Sequence, residues 1–247
     1  MKTTTLLATA LVVLASAAAA ADLVGDRPDF TESALAVAPG SLQLEAGGTL
    51  TTSDAVDARE VGEVLLRYGL RDGTELRVVL PSFVDLDAPD APDRSGATNG
   101  ALGLKHEVQQ GDGARPQVAV VGHVALPVGA EDVGAGDTAV DLVLAAEWAL
   151  HPRVGFGLNV GGEVVFAADT ESRQWFSGAF GIGVTDRLGL FVEGFSFTDE
   201  LEAFTSYLDT GLTYLLHDDL QIDVRVGQGL DDVDDETFYG AGLVARF

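Results

Sequence analysis

The chain has no cysteine and one methionine, and it carries 14 basic residues against 39 acidic ones. Without cysteine there is no disulfide staple, no thiolate metal ligand and no thiol nucleophile. A formal net charge of −25 leaves no basic patch of the kind phosphate backbones require, so nucleic acid is not an expected partner. Long apolar runs are missing too: beyond residue 21 nothing reaches the roughly 18 residues of a membrane helix. No glycine-rich stretch sits in a strand-to-helix context, so no phosphate loop, nucleotide site or energy-coupling motif is read, and no cofactor is expected.

What is present begins with a leader. Lys2 gives a basic end, Leu6 to Leu14 an apolar stretch, and Ala19, Ala20 and Ala21 a small-residue cleavage site. Residues 1–21 are therefore expected to be a signal peptide, too short to be kept as a spanning helix. Residues 22–40 have no sustained period and are expected to be an irregular lead segment. It is read as lying in the barrel described below or, by preference, at its periplasmic mouth, where Asp26, Arg27 and Asp29 could pair with inward charges.

The remainder, 41–247, reads as strands. Expected strands fall at 41–52, 59–70, 74–81, 100–110, 116–127, 139–150, 154–167, 173–185, 188–198, 205–217, 220–230 and 237–247. Their connections alternate between tiny and long. Asp186 and Arg187, or Asp218 and Asp219, suffice on one side; the other carries acidic stretches such as Asp85–Asp93, Glu131–Asp137 and Asp231–Glu236. Most strands exceed the usual soluble length of about five or six residues and match the ~9–11 that cross a bilayer obliquely. Sorted loops, long strands and an even count predict an all-β fold: a 12-stranded antiparallel transmembrane β-barrel of the outer-membrane type, both ends of the barrel on the short-turn side.

Side-chain parity supports this. Leu220, Ile222, Val224 and Val226 face one way, and Gln221, Asp223 and Arg225 the other. Outward aromatics fall near strand ends: Tyr68, Trp148, Phe156, Tyr214 and Phe247 by short turns, and Phe166, Phe176 and Tyr239 by long ones, as interfacial girdles would. Glycines inside strands, among them Gly155, Gly157, Gly181 and Gly183, permit curvature.

The inward face reads as strongly polar. Its candidate lumen-lining residues are Glu63, Arg67, Glu75, Arg77, Glu193, Asp223, Arg225 and Arg246. So many charges need either a wet lumen or cross-barrel ion pairs. Eight strands are filled by side chains and 16–18 leave an aqueous channel, so twelve predicts a narrow passage partly obstructed by Arg–carboxylate pairs.

Other chemistry is weaker. Of four histidines, His106 faces out, His151 lies in a turn, His217 at a strand end, and His123 points inward; no serine stands at recognisable spacing from His106. No catalytic residue is assigned and the chain is read as a non-enzyme. The acidic loops lack EF-hand spacing and are read as a solvated rim, so no metal ligand is assigned.

Asp26–Glu32 reads DRPDFTE, and Leu42–Gly47 reads LQLEAG. Later come LLRYGLRDGTELRVVLP, LGLFVEGF, LDTGLTYLLHDDLQIDVRVGQGL and YGAGLVARF. Together these resemble the outer-membrane barrel family called "putative MetA-pathway of phenol degradation", over nearly the whole chain beyond the leader. The resemblance implies uptake of aromatic or other small hydrophobic compounds and fixes no binding residues. The final strand, with Tyr239, Leu243 and Phe247 on one face, also resembles the signal read by the barrel-assembly machinery.

The reading is a passive outer-membrane channel or transporter for small molecules in a Gram-negative cell, whose carboxylate-rich lumen favours cations or neutral solutes. Expected partners are membrane lipid and lipopolysaccharide, the barrel-assembly machinery and a small-molecule solute. Two alternatives stay open: a non-conducting structural or surface-interaction barrel, and an outer-membrane lipid hydrolase.

Overall fold

In a computed structural model, residues 23–247 are described, except 90, 113, 134, 168–169, 200–202, 231–232 and 234. The leader of residues 1–21 lies outside the described residues. Fifteen strands follow the lead segment: β1 Leu42–Thr52, β2 Asp57–Val61, β3 Val64–Arg71, β4 Thr74–Leu80, β5 Phe83–Asp87, β6 Arg94–Ala97, β7 Gly100–Gln109, β8 Gln117–Leu126, β9 Thr138–His151, β10 Val154–Phe166, β11 Glu171–Gly183, β12 Leu188–Asp199, β13 Ala203–His217, β14 Leu220–Leu230 and β15 Thr237–Arg246.

Twelve of them close a ring. Antiparallel ladders run β1–β3–β4–β7–β8 and on through consecutive neighbours to β15, and β15 pairs back onto β1 from Gln43↔Arg246 to Thr52↔Thr237. The seam is completed at the short-turn rim, where Leu42 and Phe247 exchange backbone hydrogen bonds of 3.2 and 2.8 Å. A closed ring leaves no unpaired strand edge in lipid, which is why the spanning wall can exist at all.

The other three strands are outward continuations. β2 runs into β3, β4 into β5 and β6 into β7, each pair interrupted at Gly62–Glu63, Pro81–Ser82 or Thr98–Asn99. Beyond these breaks β1 pairs with β2, β2 with β5 and β5 with β6. The breaks are stitched together: Ser82 N–H donates to Thr98 Oγ1 at 2.9 Å, and the Ser82 hydroxyl reaches Glu60. At Gly62, φ is +77°, which a side chain would oppose, and it aims Glu63 into the barrel. The sequence reading placed residues 82–99 in a long outer connection. They form two short strands instead, because Pro81 ends one ladder without ending the extended chain.

The loops are also less sorted than read. On the short side, residues 110–116 make a longer connection, tied by the Asp112↔Arg115 bridge. On the long side, several ladders run further out, so that only three residues separate β12 from β13. The 3₁₀ turn Glu131–Val133 belongs to the loop that lies along β6, with Ala130 N–H donating to Ala97 O at 2.8 Å.

The molecule is apolar outside and charged within. Its outer surface carries rows such as Val140, Leu142 and Leu144 on β9, and Ile222, Val224 and Val226 on β14. Its largest fully buried side chains include Arg67, Arg77, Lys105, Glu45, Glu75 and Glu193. The period-2 pleat enforces this split, since a one-residue slip would exchange the two sets. Leu144→Arg, on an outward side chain 50% exposed at mid-strand, is expected to lower folding stability in lipid vesicles by about 2–4 kcal/mol. Leu144→Gln should cost clearly less; equal losses would place this face away from hydrocarbon.

Candidate functional site

The lead segment enters the barrel rather than resting at its mouth. Its backbone has no ladder partner along most of its length, and inward side chains supply what a ladder would. Glu45 accepts from Asp26 N–H at 3.0 and 3.1 Å, and Glu193 from the N–H groups of Phe30 and Thr31 at 2.6 and 2.7 Å. Glu147 accepts from Ala34 N–H at 2.9 Å, Glu107 from Ala36 N–H at 2.8 Å, and Glu75 from Val37 N–H at 2.7 Å. Asn159 does both jobs, accepting from Glu32 N–H at 2.7 Å and donating to Glu32 O at 3.0 Å. Carboxylates aimed at backbone donors are strong, charge-assisted partners.

Asp26 is the hinge of the electrostatics. It lies 2.6 Å from Arg77 Nη1, 3.0 Å from Lys105 Nζ and 3.3 Å from Arg67 Nη1. Arg67 also binds Glu75 through Nε at 2.8 Å and Glu45 through Nη1 at 2.9 Å, and Arg77 reaches Glu32 at 3.3 Å. Burial alone would raise the Asp26 carboxyl, but the combined field of Arg67, Lys105 and Arg77 holds it well below the usual carboxylate range. Asp29, three residues on, is pushed the other way: burial, then the Glu193 and Asp209 carboxylates, raise it well above its ordinary value.

The sequence-derived candidates separate into groups. Arg67, Glu75 and Arg77 form the mesh just described. Glu63 accepts from Arg27 Nη1 at 2.6 Å, and Asp223 stands 3.5 Å from the other terminal nitrogen of Arg27. Glu193 holds the lead segment. Arg225 lies over the Phe238 ring, 5.2 Å from its centroid. Arg246 is away from these, bonded to Asp219 at 2.6 and 2.8 Å on the short-turn rim. Tyr239, Leu243 and Phe247 point outward and are 54%, 37% and 68% exposed.

Sequence reasoning missed an aromatic wall. Phe30 stacks on Phe195 with centroids 4.9 Å apart and meets Phe197 edge-on at 5.2 Å. Phe195 stacks on Tyr207 at 5.0 Å, and Tyr207 meets Phe238 at 6.2 Å. Phe195 and Phe197 share the parity of Glu193, and Tyr207 that of Asp209, so their inward direction was in the pattern.

The lead segment divides the lumen. Towards the long connections lies a cavity of about 270 Å³, lined by Phe30, Glu32, His123, Asp141, Glu163, Trp175 and Phe197 among others. Another, of about 420 Å³, is bounded by Arg27, Glu63, Arg77 and Arg225. Towards the short-turn rim a third, of about 430 Å³, lies against Glu147, Gly155, Gly157 and Gly181. A Cβ at Gly181 would meet nothing within 4 Å, so the wall is bare there, whereas at Gly157 it would come within 3.1 Å of Thr31 Cγ2. Between the first and third stands the Asn159–Glu32 clamp. Among the described residues no cluster of three or more His, Asp or Glu is disposed to hold a metal ion.

A family model described as "Putative MetA-pathway of phenol degradation" matches residues 25–247. No curated protein sequence matches the chain. Among solved structures, the COG4313 outer membrane channel from Pseudomonas putida F1 is similar with a TM-score of 0.65 and 16% identity, over 86% of this chain and 97% of that one. A NanC porin matches with a TM-score of 0.58 and 9% identity, over 82% and 98%. A KdgM porin in complex with disordered oligogalacturonate matches at 0.56 and 10%, over 82% and 99%. At these identities the likeness is one of fold: that of outer-membrane porins and channels.

Two predictions follow from the charges. Asp26→Asn leaves Arg67, Arg77 and Lys105 short of a carboxylate, and should destabilise the barrel by about 3–5 kcal/mol in a urea titration. For Asp29 the docked segment favours the protonated acid. Its contribution is complete below the ordinary carboxylate range near pH 4 and is lost as pH rises above it. Asp29→Asn should therefore flatten the fall in thermal stability towards alkaline pH; an unchanged slope would show that Asp29 is ionised when docked.

Proposed function

For a chain that belongs to the "Putative MetA-pathway of phenol degradation" family, we propose the role of a passive outer-membrane channel for small molecules, with aromatic or other hydrophobic compounds as its solutes. The observation that carries this reading is the pair of cavities above and below the lead segment, one walled by Trp175, Phe197 and Phe30, the other by bare glycine backbone. Rings stacked along a lumen offer an apolar route through an otherwise charged interior. Glu63, Arg67, Glu75, Arg77, Glu193, Asp223 and Arg225 are the residues we assign to the lumen, with Arg246 at its short-turn rim.

The location follows from the same reading: the Gram-negative outer membrane, with lipid and lipopolysaccharide against the outward rows. Tyr239, Leu243 and Phe247 are proposed as the face that the barrel-assembly machinery reads. The chain is proposed to be no enzyme; the outward His106 is tied to Thr74 Oγ1 at 2.9 Å and to Gly73 O at 3.1 Å, and this supports a structural role for it. One observation favours the non-conducting alternative, namely that the clamp at Asn159 closes the middle of the lumen.

Single-channel recording of the refolded protein tests the choice. The native protein is expected to give small conductance steps, and Asn159→Ala, which releases the Glu32 backbone from β10, larger ones. Silence from both across a wide voltage range would establish the non-conducting alternative.

A further inference from the structure

The outer cavity has a chemistry more specific than "small and hydrophobic". Its charged lining comprises three carboxylates, Glu32, Asp141 and Glu163, against one guanidinium, Arg173. His123 adds no charge: its Nε2 accepts from Arg77 Nε–H at 2.9 Å, so its Nδ1–H donates to Asp141 Oδ1 at 3.0 Å, which is the neutral tautomer. Of the three carboxylates, Glu32 is engaged by the neighbouring cations Arg77 and Lys105, at 3.3 and 3.9 Å, which Asp26 and Glu75 also hold, so that Asp141 and Glu163 are left against Arg173 alone. The cavity is therefore net negative, in a chain that is itself strongly acidic, and such a site concentrates cations.

Its remaining walls are mainly aromatic, with Val143 and Asn159 beside the rings. Trp175 lies against the β10 backbone, where a Cβ at Gly161 would strike its ring, and Phe30 and Phe197 meet edge-on beside it. Arg173 already sits 5.9 Å from the Phe197 centroid, so this wall accepts a positive charge. Aromatic faces beside carboxylates recognise organic ammonium groups. At about 270 Å³ the cavity falls just below the ~300–1,000 Å³ of drug-sized sites, which limits the guest to about one ring with a short arm.

We propose that this outer cavity is a binding site for a single-ring organic ammonium ion, its ring against Trp175 and Phe197 and its charge between Glu163 and Asp141. The proposal rests on the channel reading in taking the cavity to be on the solute route.

The test uses the full barrel in detergent or vesicles. Trp148→Phe leaves Trp175 as the sole tryptophan, so its fluorescence reports the cavity. Benzylamine, phenol and phenylacetate serve as cationic, neutral and anionic probes of similar size. Benzylamine is expected to change the emission saturably and to bind at least about tenfold more tightly than either of the others, and Glu163→Gln or Asp141→Asn should weaken it about tenfold while leaving phenol unaffected. Retained heat-modifiable migration on gels shows that each variant is folded, and the second covers failure of the first. Phenol or phenylacetate binding as tightly as benzylamine, or benzylamine binding indifferent to both substitutions, would overturn the proposal. Conductance recorded on the same preparations separates the two readings: ion current without benzylamine binding sinks this site alone, and benzylamine binding without any ion current supports the site while removing the channel.

Discussion

The structure depends on how three buried cations are kept in a place from which water is largely excluded. Arg67, Arg77 and Lys105 are almost wholly buried, and the wall alone gives them Glu45 and Glu75. Asp26 supplies the missing carboxylate, and it is not part of the wall. An isolated buried ion costs several kcal/mol even after relaxation, so the barrel and its lead segment are energetically one object. The same logic explains the surplus of inward carboxylates elsewhere. Glu193, Glu147 and Glu107 have little to do with cations; they satisfy the backbone N–H groups of an extended segment that would otherwise be buried without partners.

This accounts for what could be read from residues alone. The wall was legible because its constraint is local and periodic: lipid on one face demands alternation, and Ile222–Asp223–Val224–Arg225–Val226 meets the demand in five consecutive residues. The ring of twelve followed from counting such segments. Local pattern failed where the constraint was not local. Nothing within residues 22–40 announces that Phe30 N–H will meet a carboxylate 163 positions away, and position inside the barrel is set by those distant partners. The breaks at Pro81 and Thr98 were not read: a proline cannot donate to a ladder, but whether the chain then turns or stays extended depends on β2 and β6 being there to pair with β5.

The aromatic wall was missed for a different reason. Period 2 already placed Phe195, Phe197, Tyr207 and Phe238 inward, yet the rule that barrel interiors are polar drew attention to the charges of the same parity. In a wide, water-filled pore that rule holds. In a twelve-stranded ring that also contains a segment of its own chain, part of the interior is dry enough for rings to pack, and Phe30 provides the apolar partner that makes Phe195 a buried residue instead of a wetted one.

The interior is therefore lopsided, and the lopsidedness has a consequence for passage. On the side of β1, β3, β4 and β7, guanidinium and carboxylate groups are locked pairwise and bind the lead segment in several places at once. On the side of β10 and β11, the contacts to the same segment reduce to the Asn159 amide and the Thr31–Ser177 hydroxyl pair at 2.7 Å, with glycine beneath. A few neutral hydrogen bonds are worth about 1 kcal/mol each, whereas parting buried ion pairs costs several times more. The segment is therefore least firmly held over the short span at Asn159 and Ser177, between the carboxylate of Glu193, which grips Phe30 and Thr31, and that of Glu147, which grips Ala34. An opening at that span would lie between aromatic rings and glycine backbone, and it would have to carry Glu32, whose carboxylate stands 3.3 Å from Arg77.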